Sequence, residues 1–142
     1  MNLELFKKDI LNIYDDLIEN NVVRKLGIID HDLFQDKLFQ LGTKYNLIAD
    51  KEYSGISFCD SDTGKNKRGR IDLVYFKNNK PYIALEIDSG LKKSSVKKLV
   101  ANNHFKYRIW FCYKKNMDVF KYQEIIKRYD ANKELIYLLP MS

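Results

Sequence analysis

The chain has 142 residues, 45% of them hydrophobic and 31% charged, and a formal net charge of +6. That length suits one domain with a single sizeable core, and the composition excludes a disordered or low-complexity chain. No apolar run approaches the roughly 20 residues of a membrane span. The opening MNLELFKKDI lacks the apolar stretch of a signal peptide, so the expected location is cytoplasmic. The basic balance favours a polyanionic partner, nucleic acid first.

Leu3, Phe6, Ile10, Ile13, Tyr14 and Leu17 recur at helical spacing and predict a helix over 3–20. A second helix is expected over 31–45, started near Asp30 or His31, with Leu33, Phe34, Leu38, Phe39 and Leu41 inward. Residues 51–60 read as a strand closed by the turn chemistry of SDTGKNKRG (61–69). Residues 71–77 and 81–88 form a hairpin around Asn78 and Asn79. SSVKKLVANN (94–103) is a short helix with Ser94 or Ser95 as its cap and Val96, Leu99 and Val100 as its apolar stripe. YRIWFCY (107–113) is apolar except at Arg108, as a strand covered on both faces would be. A helix over 117–130 and a strand over 134–139 complete the chain. Cys59 and Cys112 lie in strand-like apolar segments without metal-ligand spacing and are expected to be reduced and buried. The order implies a mixed sheet that begins as a meander and continues through crossovers, with helices against it.

The unusual stretch is GRIDLVYFKNNKPYIALEIDSG (69–90), where Asp72, Glu86 and Asp88 interrupt two apolar strands. Alternation puts Tyr82, Ala84, Glu86 and Asp88 on one face of the second strand and Ile83, Leu85 and Ile87 on the other. If Asp72 pairs across from Glu86, their Cβ atoms are about 5 Å apart. Three carboxylates so close repel one another unless a cation neutralises them. Hard, partly exposed oxygen ligands suit Mg²⁺ or Mn²⁺ rather than zinc. Ion pairing with Arg70 or a nearby lysine is the competing explanation. Asp72 and Glu86 share a face only if paired residue numbers sum to an even value. An odd-length loop such as Asn78–Asn79–Lys80 gives that register; a strict two-residue Asn78–Asn79 turn puts the acids on opposite faces. Positive charge brackets the acids in sequence: Lys65, Lys67, Arg68 and Arg70 before them, Lys92, Lys93, Lys97 and Lys98 after them. Of these, Lys65, Lys67, Arg68, Arg70, Lys92, Lys93 and Lys97 are candidates for nucleic-acid contact.

An acid early in one strand, a Glu in the next at IALEID and a helix after it resemble the PD-(D/E)xK nuclease superfamily. Asp72 matches the first acid and Glu86, 14 positions on, the acid of the second motif. The resemblance spans roughly 45–139. It implies a single α/β domain over 1–142 with a restriction-endonuclease-like αβββαβ core at about 47–139 behind the two N-terminal helices. It also implies a Mg²⁺- or Mn²⁺-dependent endonuclease or exonuclease acting on nucleic acid, most readily DNA. Asp72 and Glu86 would be metal ligands, with the carbonyl of Ile87 a further one. The motif's lysine position is Asp88, so Asp88 becomes a third metal ligand or orients water, and the lysine role passes to Lys98, with Lys92 and Lys97 as competitors. Glu52 is a further acid of the kind that contacts metal through water in similar proteins. A homodimer would suit double-strand cutting. The alternatives are an inactive domain on the same scaffold that binds nucleic acid or a protein, and a basic interaction module whose acids are merely ion-paired. His31 lies between Asp30 and Asp32, where helix capping explains the acids; His104 has no assigned role.

Overall fold

The computed structural model describes residues 1–20, 29–101, 104–114, 116–130 and 135–140. Residues 102–103 and 134, the ends of two expected elements, lie outside them. In chain order come α1 (Leu3–Glu19), α2 (His31–Lys44), β1 (Ile48–Cys59), β2 (Asn66–Lys77), β3 (Lys80–Asp88), α3 (Lys93–Val100), β4 (Tyr107–Cys112), α4 (Val119–Tyr129) and β5 (Ile136–Leu139). The helices start where polar side chains cap them. Asn2 accepts from the Leu5 N–H, Asp30 from those of Asp32 and Leu33, and Asp118 from that of Lys121. In α3 the cap position is Lys92, without a side-chain bond, so neither Ser94 nor Ser95 caps it.

The five strands lie in sequence order, β1 to β3 antiparallel and β3, β4 and β5 parallel. This is an α/β fold with a mixed sheet. Both faces of the sheet are covered, so there are two cores rather than the single one expected. Phe6, Ile10 and Leu17 of α1 and Phe34, Leu38 and Leu41 of α2 pack on Leu73, Tyr75, Ile83, Leu85, Ile87, Ile109 and Phe111. Val96 and Leu99 of α3 and Tyr122 of α4 pack on Ile56, Ile71, Val74, Ala84, Trp110 and Cys112. Ala84, small and on the face of Glu86, is covered by this second core. Phe39, expected inward, is exposed with the Lys51 ammonium over its ring, and Cys59, expected buried, is exposed.

The hairpin register resolves in an unexpected way. Asn78 and Asn79 both have positive φ, as a two-residue hairpin turn requires, and Lys77 pairs with Lys80 and Phe76 with Pro81. That is the odd register. Tyr75 then pairs with Ile83, so Tyr82 is an extra residue, a β-bulge, and the remaining pairs, Val74 with Ala84 and Leu73 with Leu85, are in the even register. Tyr82 itself packs with Ile83 on the α1/α2 side, not on the face of Glu86, and its carbonyl accepts the Lys106 N–H instead of a β2 partner. A two-residue turn and an even register therefore coexist.

Candidate functional site

The β2–β3 ladder ends at Leu73 and Leu85. One step further the strands are joined by acid side chains. The Asp72 N–H donates to Glu86 Oε1 at 2.8 Å, and the Ile87 N–H donates to Asp72 Oδ2 at 2.7 Å. Each carboxylate completes the other strand's backbone, and each is held in place by it. Glu86 is 1% exposed. Burial first, and the Asp72 charge second, push its pKa up to about 7 against the pull of Lys98.

Two helices reach the pair. Asp88 and Glu86 share a face of β3, and Ser95 and Lys98 are neighbours one turn apart on α3. The Ser95 hydroxyl donates to Asp88 Oδ2 at 2.5 Å, and Lys98 Nζ lies 2.8 Å from Glu86 Oε2 and 2.6 Å from the Arg70 carbonyl. At about 100° per residue, Lys98 lies nearly opposite the Val96, Leu99 and Val100 stripe of α3. It reaches the site because β2 runs on past the acids and gives α3 a second surface. A Cβ on Gly69 would fall 2.6 Å from Lys98 Cδ, so the bare glycine is what lets the lysine stem pass. From the other side, α2 presents His31 and Gln35, again one turn apart. His31 Nε2 is 3.2 Å from the Ile87 carbonyl and 3.7 Å from Asp72 Oδ2, and Asp72 chiefly raises the imidazole pKa to about 9. Gln35 Nε2 donates to the Asp72 carbonyl at 2.8 Å and to Glu52 Oε1 at 3.0 Å.

The structure brings Asp72, Glu86 and Lys98 together, in a pocket of about 470 Å³ also lined by His31, Asp88, Lys92 and Tyr113. Asp88 also borders the pocket; its Oδ2 accepts the Ser95 hydroxyl and, at 2.8 Å, the Trp110 indole N–H, and burial raises its pKa. It anchors the first turn of α3. Among the described residues no group of three or more His, Cys, Asp or Glu side chains is arranged to hold a metal ion. The oxygens that the Asp72–Glu86 link brings together are those two carboxylates and the Ile87 carbonyl. Glu52, exposed and at positive φ, stands one link away through Gln35. Lys93 is exposed on α3. Lys97 does not turn toward the pocket; it bridges Asp60 and Asp62, at 2.8 Å each, and Lys67 joins Asp60 at 3.0 Å. Lys65, Arg68 and Arg70 are exposed.

His31 and Gln35 were missed by the sequence reading. Their i, i+4 spacing at the start of α2 was the available signal, and the Asp-rich cap beside His31 hid it. No helix among the described residues is long and apolar enough to cross a membrane. Compared with family models, with curated proteins and with solved structures, the chain finds no match.

Proposed function

We propose that this protein is a metal-dependent nuclease hydrolysing phosphodiester bonds, most readily in DNA, on a restriction-endonuclease-like core. The observation that carries the reading is the Asp72–Glu86 pair at the point where β2 and β3 part, with Lys98 2.8 Å from Glu86. Two acids share a site there, and burial first and Asp72 second raise the pKa of Glu86 although Lys98 and His31 reach the pair. Their hard oxygens fit Mg²⁺ or Mn²⁺. Asp72, Glu86 and the Ile87 carbonyl would hold the ion, which supplies a Lewis acid for the phosphate and an acidified water. The chain's own residues do the rest. Backbone N–H groups keep both carboxylates facing the same space. Lys98 is held by the Arg70 carbonyl within reach of a phosphate oxygen, where its charge stabilises the pentacovalent transition state. Asp88 acts at a distance: by fixing Ser95 it fixes α3, and hence Lys98.

The Lys98–Glu86 contact also favours a second reading, a non-catalytic nucleic-acid-binding domain, because an ion pair occupies the amine that catalysis needs. One experiment separates the two. Duplex, branched and single-stranded DNA are incubated with protein and Mn²⁺ or Mg²⁺, beside Asp72→Asn, which keeps an acceptor for the Ile87 N–H. The nuclease reading expects cleavage by the wild type that needs the ion and disappears in the variant, together with thermal stabilisation by the ion. Salt-dependent binding without cleavage or metal stabilisation would leave the second reading in its place.

A further inference from the structure

The β1–β2 ladder continues where the β2–β3 ladder stops. Tyr53 pairs with Ile71, Ile56 with Gly69, Ser57 with Arg68 and Cys59 with Asn66. These residues form a two-stranded arm that runs on past the acid pair. Its inner side is built for α3: Ile56 and Ile71 are buried in the second core, and Gly69 accommodates the Lys98 stem. Strand alternation sends Arg68 and Arg70, which flank Gly69, to the outer side, and both are exposed, as is Ser57 across from Arg68. Neither arginine makes an ion pair among the described residues, whereas Lys67 on the same strand is taken by Asp60. A cavity of about 470 Å³ runs along this part of the arm, bordered by Ser57, Phe58, Cys59, Asn66, Lys67 and Arg68.

We propose that the outer side of this arm is a binding track for the backbone of duplex DNA. Arg68 and Arg70, about 7 Å apart on one strand edge, each take a phosphate, with Ser57 and Asn66 as neutral donors beside them. Two residues beyond Arg70 the strand reaches Asp72, so the track ends at the acid pair. That end point rests on the nuclease reading; the binding itself does not. The side chains that alternation sends outward carry guanidinium, hydroxyl and amide groups, while the partly buried Tyr53 and Phe58 rings pack against the second core. Single-strand binding without sequence preference relies on aromatic stacking platforms, which the track lacks. A two-stranded ribbon also matches the width of the B-form major groove, and the deep, narrow groove of A-form RNA does not admit it. Contacts to phosphates position the duplex without reading its sequence.

The test uses the full chain in EDTA, where metal-dependent cleavage does not occur, with a duplex DNA oligonucleotide, its separated strands and a duplex RNA of the same length. Wild type binds the DNA duplex most tightly. Arg68→Gln combined with Arg70→Gln weakens that binding about tenfold or more and lowers the slope of log K against log salt by about 2. Cys59 supplies a footprint, because it is the exposed one of the two thiols and borders the track. Duplex DNA slows its alkylation, and Cys112 stays unreactive. Protection of Cys59 in a protein that never cleaves sustains the track and removes only the nuclease reading. Cleavage of duplex by wild type, with unchanged affinity, salt slope and Cys59 reactivity in the arginine variant, overturns the track alone. Tighter binding of single strands or of RNA duplex overturns it as well.

Discussion

Lys97 and Lys98 are adjacent on α3, and each ends against a pair of acids, but the two clusters are electrostatic opposites. Lys97 bridges Asp60 and Asp62, which also hold Lys67, Arg128 and the Tyr129 hydroxyl. Positive charge is in surplus there. The lysines hold the Asp60 carboxyl well below the ordinary carboxylate range, and Lys97 with Tyr129 lowers Asp62 to about 2. Lys98 meets Glu86, whose pKa is instead pushed up to about 7 by burial and by Asp72. The first cluster is closed: it pins the tip of the β1–β2 arm to α3 and α4 and has no capacity left for a ligand. In the second, Lys98 and the His31 imidazolium balance Asp72 and Glu86 without a cation to spare, and the acids line a pocket. Similar residue types give a clasp in one place and a candidate site in the other. The difference lies in burial and in how many cations reach the acids.

The comparison breaks most visibly at the two lysines. Lys98→Ala is expected to lower cleavage by about 10²-fold or more, the scale of losing one transition-state charge partner. Lys97→Ala is expected to leave the cleavage rate within a few-fold and to lower the thermal midpoint. Single-turnover rates and melting curves for both variants measure this. A larger rate loss in Lys97→Ala than in Lys98→Ala would reverse the assignment of the two clusters.

Acid titration sharpens the contrast, because the clusters respond to pH with opposite signs. Glu86 has an ordinary value of 4.5 and ionises near 7 in the folded protein. Between those values the folded state keeps a proton that the unfolded chain has lost, so stability in EDTA falls as pH rises through the window, by roughly 2–3 kcal/mol. Asp62, lowered from 3.8 to about 2, works the other way: its contribution is present above its ordinary value and is lost as pH falls toward 2. Urea unfolding at pH 5 and pH 7.5 reads the first effect. The wild type should lose stability between the two, and Glu86→Gln should lose less, keeping only the fall that His31, raised from 6.5 to about 9, contributes above its ordinary value. Equal slopes for both proteins would show that Glu86 titrates normally.

The smallest expected effect is at Gly69. Adding a methyl group there forces the Lys98 stem aside, and Gly69→Ala should cost about tenfold in cleavage, since small displacements of a positioned group slow reactions disproportionately. Wild-type rates in Gly69→Ala would mean that the stem's path is not what places the amine.

Much of the fold is legible in the sequence, because hydrophobic periodicity and capping are local signals. The 3.6-residue recurrence of Phe6, Ile10 and Leu17 marks α1, and the Asn78–Asn79 pair marks the hairpin. What escaped depends on contacts between elements. The segment 66–70 carries Lys67, Arg68 and Arg70 and has no apolar alternation, so it reads as a turn; it becomes strand because β1 pairs with it. That extension is what turns Lys98 inward. Asp88 looks like a ligand because it follows Glu86 by two residues, and only the packing of Ser95 and Trp110 shows that its Oδ2 already has two donors. His31 reads as part of a capped helix start, and nothing local shows that α2 begins beside Ile87.

The bulge at Tyr82 makes the candidate site depend on a count as well as on chemistry. Strand faces follow parity, so strands paired straight on from the Asn78–Asn79 turn would set Asp72 across from Leu85 and turn Glu86 to the opposite face. Tyr82, standing outside the ladder, absorbs the difference. Deleting it would close the bulge and leave Val74 with Ala84, Leu73 with Leu85 and the shared side of the acids as they are, whereas drawing it into regular pairing would part the acids with every motif residue still encoded. A tyrosine with no acid, base or ligand of its own thus lets this turn and this site occur on one strand by staying out of the ladder.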